Sequence, residues 1–203
     1  MTKLKQTSSE EDILNAAKTV FEKKGMDGAR MQEIADKAGI NKALLHYYFR
    51  SKQLLFEAVF KSAFSMLAPK LHEILNNDSS LFEKIQNFTE NYIAFIIKHP
   101  YLPNFLIQEL NRNPEFVKKL VTEKKFPDLT KFKNQIEEAV SSGLIKPIKP
   151  EQLFINIISL NIFPFVGGNL IKSFLGIEKE DYNKLLEQRK TEVATFIINS
   201  IKK

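Results

Sequence analysis

The chain has 203 residues, 43% of them hydrophobic, a formal charge of +6 and no cysteine. That is enough apolar material for a packed core, so disorder is excluded as the main state, and the length suits one small module plus one helical domain. The missing thiols exclude disulfides and thiolate metal sites and fit a reducing cytosol.

The positive charge is not concentrated in either half, so it does not by itself imply nucleic acid. The opening MTKLKQTSSEED lacks the apolar core of a secretory signal, and runs such as IAFII are too short to span a bilayer. The expectation is a cytoplasmic protein with no membrane association.

In chain order, Met1 to Thr7 reads as a basic, unpatterned arm. Ser8 and Glu11 have the spacing of a capping box, and Ile13, Ala16, Ala17, Val20 and Phe21 then share one helical face up to Gly25. In MQEIADKAGINKALLHYYFRSK, Met31 to Lys52, the apolar residues Met31, Ile34, Ala35 and Ala38 recur at helical spacing. Gly39 interrupts, and Asn41 opens a second short helix. Two helices joined by a tight turn make a helix-turn-helix.

The second helix has an unusual outer side. With Leu45, Tyr48 and Phe49 inward, the 100° step turns Ala43, His46, Tyr47 and Arg50 outward, with Lys42 and Leu44 on the flanks. Small, aromatic and basic groups in one stripe suit thymine methyls, base edges and phosphates of a major groove. From Lys37 to Lys52 the chain carries Lys37, Lys42, Arg50 and Lys52 with no acid between them, a local field that attracts a polyanion. Ser51 is placed to cap the following helix, and Lys52 in its first turn to hold a phosphate beside free amides.

The run from Ile13 to Leu55, with AAKTVFEKKG, IADKAGI and LLHYYFRSKQLL, resembles the DNA-binding region of the TetR family of bacterial transcriptional regulators. The resemblance rests on Gly25, Ile34, Ala35, Ala38, Gly39, Leu45, Tyr48, Phe49, Ser51 and Lys52 in order and spacing. The family usually has Thr or Ser where Ala29 and Arg30 stand, and Tyr where His46 stands. Arg30 then replaces the usual phosphate contact with a charge. The residues expected to bind DNA are Arg30, Lys42, Ala43, Leu44, His46, Tyr47, Tyr48 and Lys52.

A long fourth helix runs through FEAVFKSAFSML into KLHEILNN, with Pro69 expected to kink or break it. It is the candidate mechanical link. Ser80 and Glu83 form another capping box, for a helix stopped by HPYLP. A short helix around Asn104 to Asn111 follows, Asn113 and Pro114 mark a further start, and Leu129 to Ser141 forms its own helix closed by Gly143. EQLFINIISLNIFPFV is apolar on nearly all sides, and the last helix carries a stripe that includes Tyr182, Leu185, Arg189 and Phe196.

The expected architecture is all-α: a three-helix helix-turn-helix domain over residues 1–50, then a helical ligand-binding and dimerisation bundle over residues 51–203. A twofold homodimer is expected through Phe154, Ile158, Leu185, Arg189, Val193, Phe196 and Ile197, an arrangement the family resemblance also implies. A small apolar or amphipathic effector is expected among Phe64, Tyr92, Phe95, Phe105, Gln108, Phe132, Gln135, Asn161 and Phe165, because polar groups there interrupt apolar stretches. The function expected is a ligand-responsive regulator, foremost a repressor, on palindromic double-stranded operator DNA.

Catalysis is not expected. The sequence has no His-Glu-x-x-His, no phosphate-cradling glycine loop, no Gly-x-Ser-x-Gly and no thiol nucleophile, and His46, His72 and His99 are scattered. No metal or cofactor is expected. The rival reading is a helical lipid or small-ligand carrier, or an interaction scaffold, whose helix-turn-helix is only an αα corner.

Overall fold

The computed structural model describes residues 2–100, 102–104, 107, 115, 118 and 127–203, with residues 2–9 described as backbone only. The chain divides into two compact units, Met1–Ser65 and Met66–Lys203.

The first unit holds α1 (Thr2–Gly28), α2 (Met31–Lys37), α3 (Lys42–Tyr48) and the first half of α4 (Lys52–Asn76). The backbone is helical from Thr2, so Ser8 lies inside α1 and the expected unpatterned arm is helix instead. Leu4, Lys5 and Gln6 are good helix formers, and no glycine or proline stops the helix there. Gly25 does interrupt α1, with φ 67 and ψ 177, a backbone region open essentially only to glycine. Ile13, Ala17, Phe21, Ile34, Ala35, Leu45, Leu55 and Phe56 form the unit's core. The Phe21 and Phe56 rings meet at 4.5 Å, which ties the start of α4 into this unit.

Pro69 neither breaks nor ends α4, which runs unbroken to Asn76. Ser65 and Pro69 are both exposed, so the carbonyl that loses its amide donor is on the side open to solvent.

The second unit holds the rest of α4, α5 (Leu81–Lys98), α6 (Thr130–Ser141), α7 (Pro150–Val166), α8 (Gly168–Leu175) and α9 (Lys179–Ile201). The capping box at α5 forms as expected: Glu83 N–H donates to Ser80 Oγ at 3.3 Å, and Ser80 N–H to the Glu83 carboxylate at 2.9 Å. The helix α9 packs chiefly on α5, and Ile85, Ile93, Ile136, Leu153, Ile157, Val193 and Ile197 lie in the shared core. The separate helix α8 went unforeseen; the Gly167–Gly168 pair after Pro164 is the signal for it. The predicted helix around Asn104 to Asn111 and the start at Asn113 and Pro114 lie outside the described residues, apart from isolated positions.

Basic side chains repeatedly close helix C-termini. The Lys84 ammonium, buried in α5, donates to Leu75 O at 3.1 Å, and Lys131 donates to Asn76 O at 3.0 Å, both at the end of α4. Lys146 donates to Ser200 O at 3.1 Å at the end of α9. Cations are favourable against the free carbonyls and negative dipole of a helix end. Burial, followed by the charge of Lys131, pushes the Lys84 ammonium below its ordinary pKa.

Candidate nucleic-acid interface and accessory sites

The turn between α2 and α3 is built as its residues require. Gly39 takes φ 68 in open space, the left-handed conformation that side chains resist. Asn41 caps α3, accepting a bond from Leu44 N–H at 2.8 Å. An ion pair of 2.8 Å between Lys24 and Glu33 braces α2 against α1.

With the turn set, α3 buries one side and presents the other. Leu45 is fully buried and Phe49 nearly so, whereas Lys42, Ala43, His46 and Arg50 are exposed. Leu44 is 36% exposed and Tyr47 72%. An aromatic ring this exposed on a helix whose opposite side is core has no partner of its own to bury it. Tyr48 is half-buried on the flank, its ring edge-on to Tyr47 at 5.6 Å. Arg30 is exposed at the N-cap of α2 and its side chain makes no capping bond there.

Lys52 has an intramolecular role that spacing did not reveal. Its Nζ donates to Asp27 O at 3.2 Å and Ala29 O at 3.1 Å, closing the connection between α1 and α2. Ser51 caps α4, accepting from Leu54 N–H at 3.1 Å. The ammonium therefore fastens the end of the first helix to the start of α4.

The profile of the bacterial regulatory proteins of the tetR family matches residues 13–59, which span α1 to α4. Residues 13–59 are thus similar to the DNA-binding region of the TetR family. Over 92% of its length and 87% of the relative's, it is 28% identical to the HTH-type transcriptional repressor NicS of Pseudomonas putida. It is 30% identical, over 51% of its length and 54% of the relative's, to IcaR of Staphylococcus aureus, a negative transcriptional regulator of a biofilm operon. In fold it resembles the ketosteroid transcriptional regulator KstR2 of Mycobacterium tuberculosis, with TM-score 0.68, 16% identity and coverage of 96% and 95% of the two chains.

The residues expected at an effector site fare differently from one another. Phe132 is buried in the core, Phe64 stacks on Phe60 at 5.6 Å within the first unit, and Phe95 packs on His99 at 4.5 Å. Tyr92 stacks on Phe88 at 5.6 Å, and burial pushes its phenol up to about 12. Gln135 donates to Ser79 O at 3.0 Å but leaves its buried Oε1 without a partner. Asn161 is fully buried with neither side-chain atom bonded. Phe165 is half-buried at the rim of a recess of about 500 Å³ with Ile97 and Leu186. Phe105 and Gln108 lie outside the described residues.

The residues expected at a dimer interface also separate. Val193 and Ile197 sit in the unit's own core at 3% and 2% exposure and cannot form its outer face. Phe154 and Ile158 are partly buried against the same core. The outward apolar groups are instead Leu185 and Phe196 on α9, Ile155 and Phe163 on α7, and Leu170, Phe174 and Leu175 on α8. Arg189 is half-buried among them. Among the described residues no single helix is long and apolar enough to cross a membrane, and the apolar α7 and α8 are bent by 74° from one another.

Proposed function

We propose that the protein is a repressor that binds palindromic operator DNA as a homodimer and is released by a small apolar or amphipathic effector. The carrying observation is α3: capped, supported from behind by Leu45 and Phe49, and exposing Lys42, His46 and Tyr47 together. A helix so presented fits a major groove, its side chains reading base edges. In this reading residues 1–50 bind DNA, with Arg30, Tyr48 and Lys52 positioned for phosphates and Lys42, Ala43, Leu44, His46 and Tyr47 for bases.

Apolar side chains exposed on α7, α8 and α9 favour a second copy as their cover, since monomers rarely leave so many large ones uncovered. Twofold symmetry then sets two recognition helices about 34 Å apart or more, so a change in their separation changes operator affinity. An effector acts by preferring the subunit geometry with the wrong spacing. The helix α4, shared by both units and lacking one backbone bond at Pro69, is the candidate lever. The unpartnered amide of Asn161 supports an effector site in residues 51–203, since buried polar atoms are ordinarily bonded.

Selection of bound fragments from random duplex DNA, followed by titration in rising salt, tests the reading. A palindromic motif, with affinity falling steeply with salt, is the expected result. Duplexes that never shift even in dilute buffer would leave a carrier or scaffold instead.

A further inference from the structure

The outward stripe of α9 is self-complementary. Leu185, Arg189, Glu192 and Phe196 are spaced four, three and four residues apart, so they lie within about 60° of arc on one side of the helix. Leu185 and Phe196 are 41% and 64% exposed. Arg189 donates from Nη2 to Leu160 O at 2.7 Å, while its buried Nε has no partner. Glu192 is exposed and makes no ion pair among the described residues. A recess of about 310 Å³ opens beside Leu160, Arg189, Glu192 and Phe196. Read from either end, the stripe runs apolar, charged, charged, apolar, with the two charges opposite in sign.

We infer that α9 packs antiparallel on α9 of a second copy about a twofold axis between Lys190 and Thr191. Arg189 then pairs with the partner's Glu192, and Leu185 packs on the partner's Phe196. The inference rests on the homodimer proposed above and specifies its register. Sliding the helices by one turn in one direction sets Arg189 against the partner's Arg189; in the other it sets Glu192 against the partner's Glu192. A parallel pairing opposes like charges as well. Only the antiparallel register centred between Lys190 and Thr191 matches apolar with apolar and cation with anion, and twofold symmetry makes each pair twice. Like charges brought together in an interface oppose association, so the same stripe disfavours its alternatives.

Sedimentation of the full chain reads the register through charge. Glu192→Lys leaves the Leu160 contact intact and sets two cations together twice; it should weaken dimerisation by at least about 100-fold. Arg189→Glu should do the same with anions. Mixed in equal amounts, the two variants should form heterodimers close to wild type in affinity, because both contacts become cation to anion. A cysteine-free chain allows a second readout that does not depend on Arg189→Glu folding. Leu185→Cys mixed with Phe196→Cys should cross-link on mild oxidation, and neither should cross-link alone. A dimer indifferent to both charge variants, or cross-linking of one cysteine variant alone, overturns this register and leaves the homodimer standing. A wild-type chain that sediments as a monomer overturns both.

Discussion

The Arg189 guanidinium donates to the backbone oxygen of Leu160 at 2.7 Å, the carbonyl whose helical donor Pro164 cannot supply. Tyr182 adds a second bond to this helix, its hydroxyl donating to Pro164 O, one of the free carbonyls at the helix end, at 2.7 Å. Two side chains of α9 thus bond carbonyls in the last two turns of α7, and the two helices hold one another at backbone level as well as through the core. This arrangement places a cation at the middle of the outward stripe of α9.

That relationship predicts a coupling. Arg189→Ala should destabilise the fold by about 1–3 kcal/mol by leaving Leu160 O without a donor, towards the lower end because the site is half-exposed. In a Pro164→Ala background the new amide serves Leu160, so the same substitution should cost less, with a coupling of about 0.5–3 kcal/mol. Urea denaturation of the four proteins at one protomer concentration measures it. Additive losses would show that Arg189 does not substitute for the missing amide.

Contacts within the first unit separate two classes of DNA variant. Lys52→Met should lower affinity for all duplexes alike and also lower the melting temperature, because the Asp27 and Ala29 carbonyls lose their donor. Replacing Lys42, His46 or Tyr47 should change which sequences bind best and leave stability unaltered, since these side chains are exposed. Competition binding against a randomised half-site, alongside thermal melts, tells the two apart; uniform loss from His46 and Tyr47 variants would move the base-reading face elsewhere.

Asn161→Leu should raise stability by about 1–3 kcal/mol, because a side chain of similar shape replaces an amide buried with both polar atoms unbonded. A higher urea midpoint at unchanged slope is the expected observation. The same variant should lose any response of DNA binding to effector. A lower midpoint would mean that the amide is bonded in solution.

Acid should unfold the protein through its helix caps and ion pairs. Bonds from Ser80 hold the Glu83 carboxyl below its ordinary value, the Lys131 ammonium does so for Asp78, bonds from Thr130 for Asp128, and the Lys133 ammonium for Glu151. A depressed folded pKa contributes stability that is present above the unfolded value and lost as pH falls through the folded one. Stability should therefore hold down to about pH 4.5 and decline below it. Ser80→Ala should cost about 1 kcal/mol at neutral pH. It should also flatten the acid limb of a melting-temperature profile, since Glu83 loses its reason to stay ionised. An unchanged limb would assign the acid sensitivity to the other carboxylates.

The features legible from sequence alone are those governed by neighbours a few residues apart. The Gly39 turn, the Asn41 cap, the Ser80–Glu83 box and the burial of Leu45 and Phe49 behind an exposed Tyr47 all follow from backbone sterics, short capping bonds and the helical step. The family signature lies in the same local pattern, which is why one quarter of the chain sufficed to suggest it. Tertiary structure decided the rest. Periodicity marked a broad apolar stripe on α9, but only packing on α5 and α7 separated the buried Val193 and Ile197 from the exposed Leu185 and Phe196. Lys52 and Arg189 were readable as charges but not as donors to the backbone, because the carbonyls they bond lie 23 to 29 residues away and are brought alongside only by the fold. A helix end creates unsatisfied groups locally; which side chain satisfies them is settled by what the fold brings alongside.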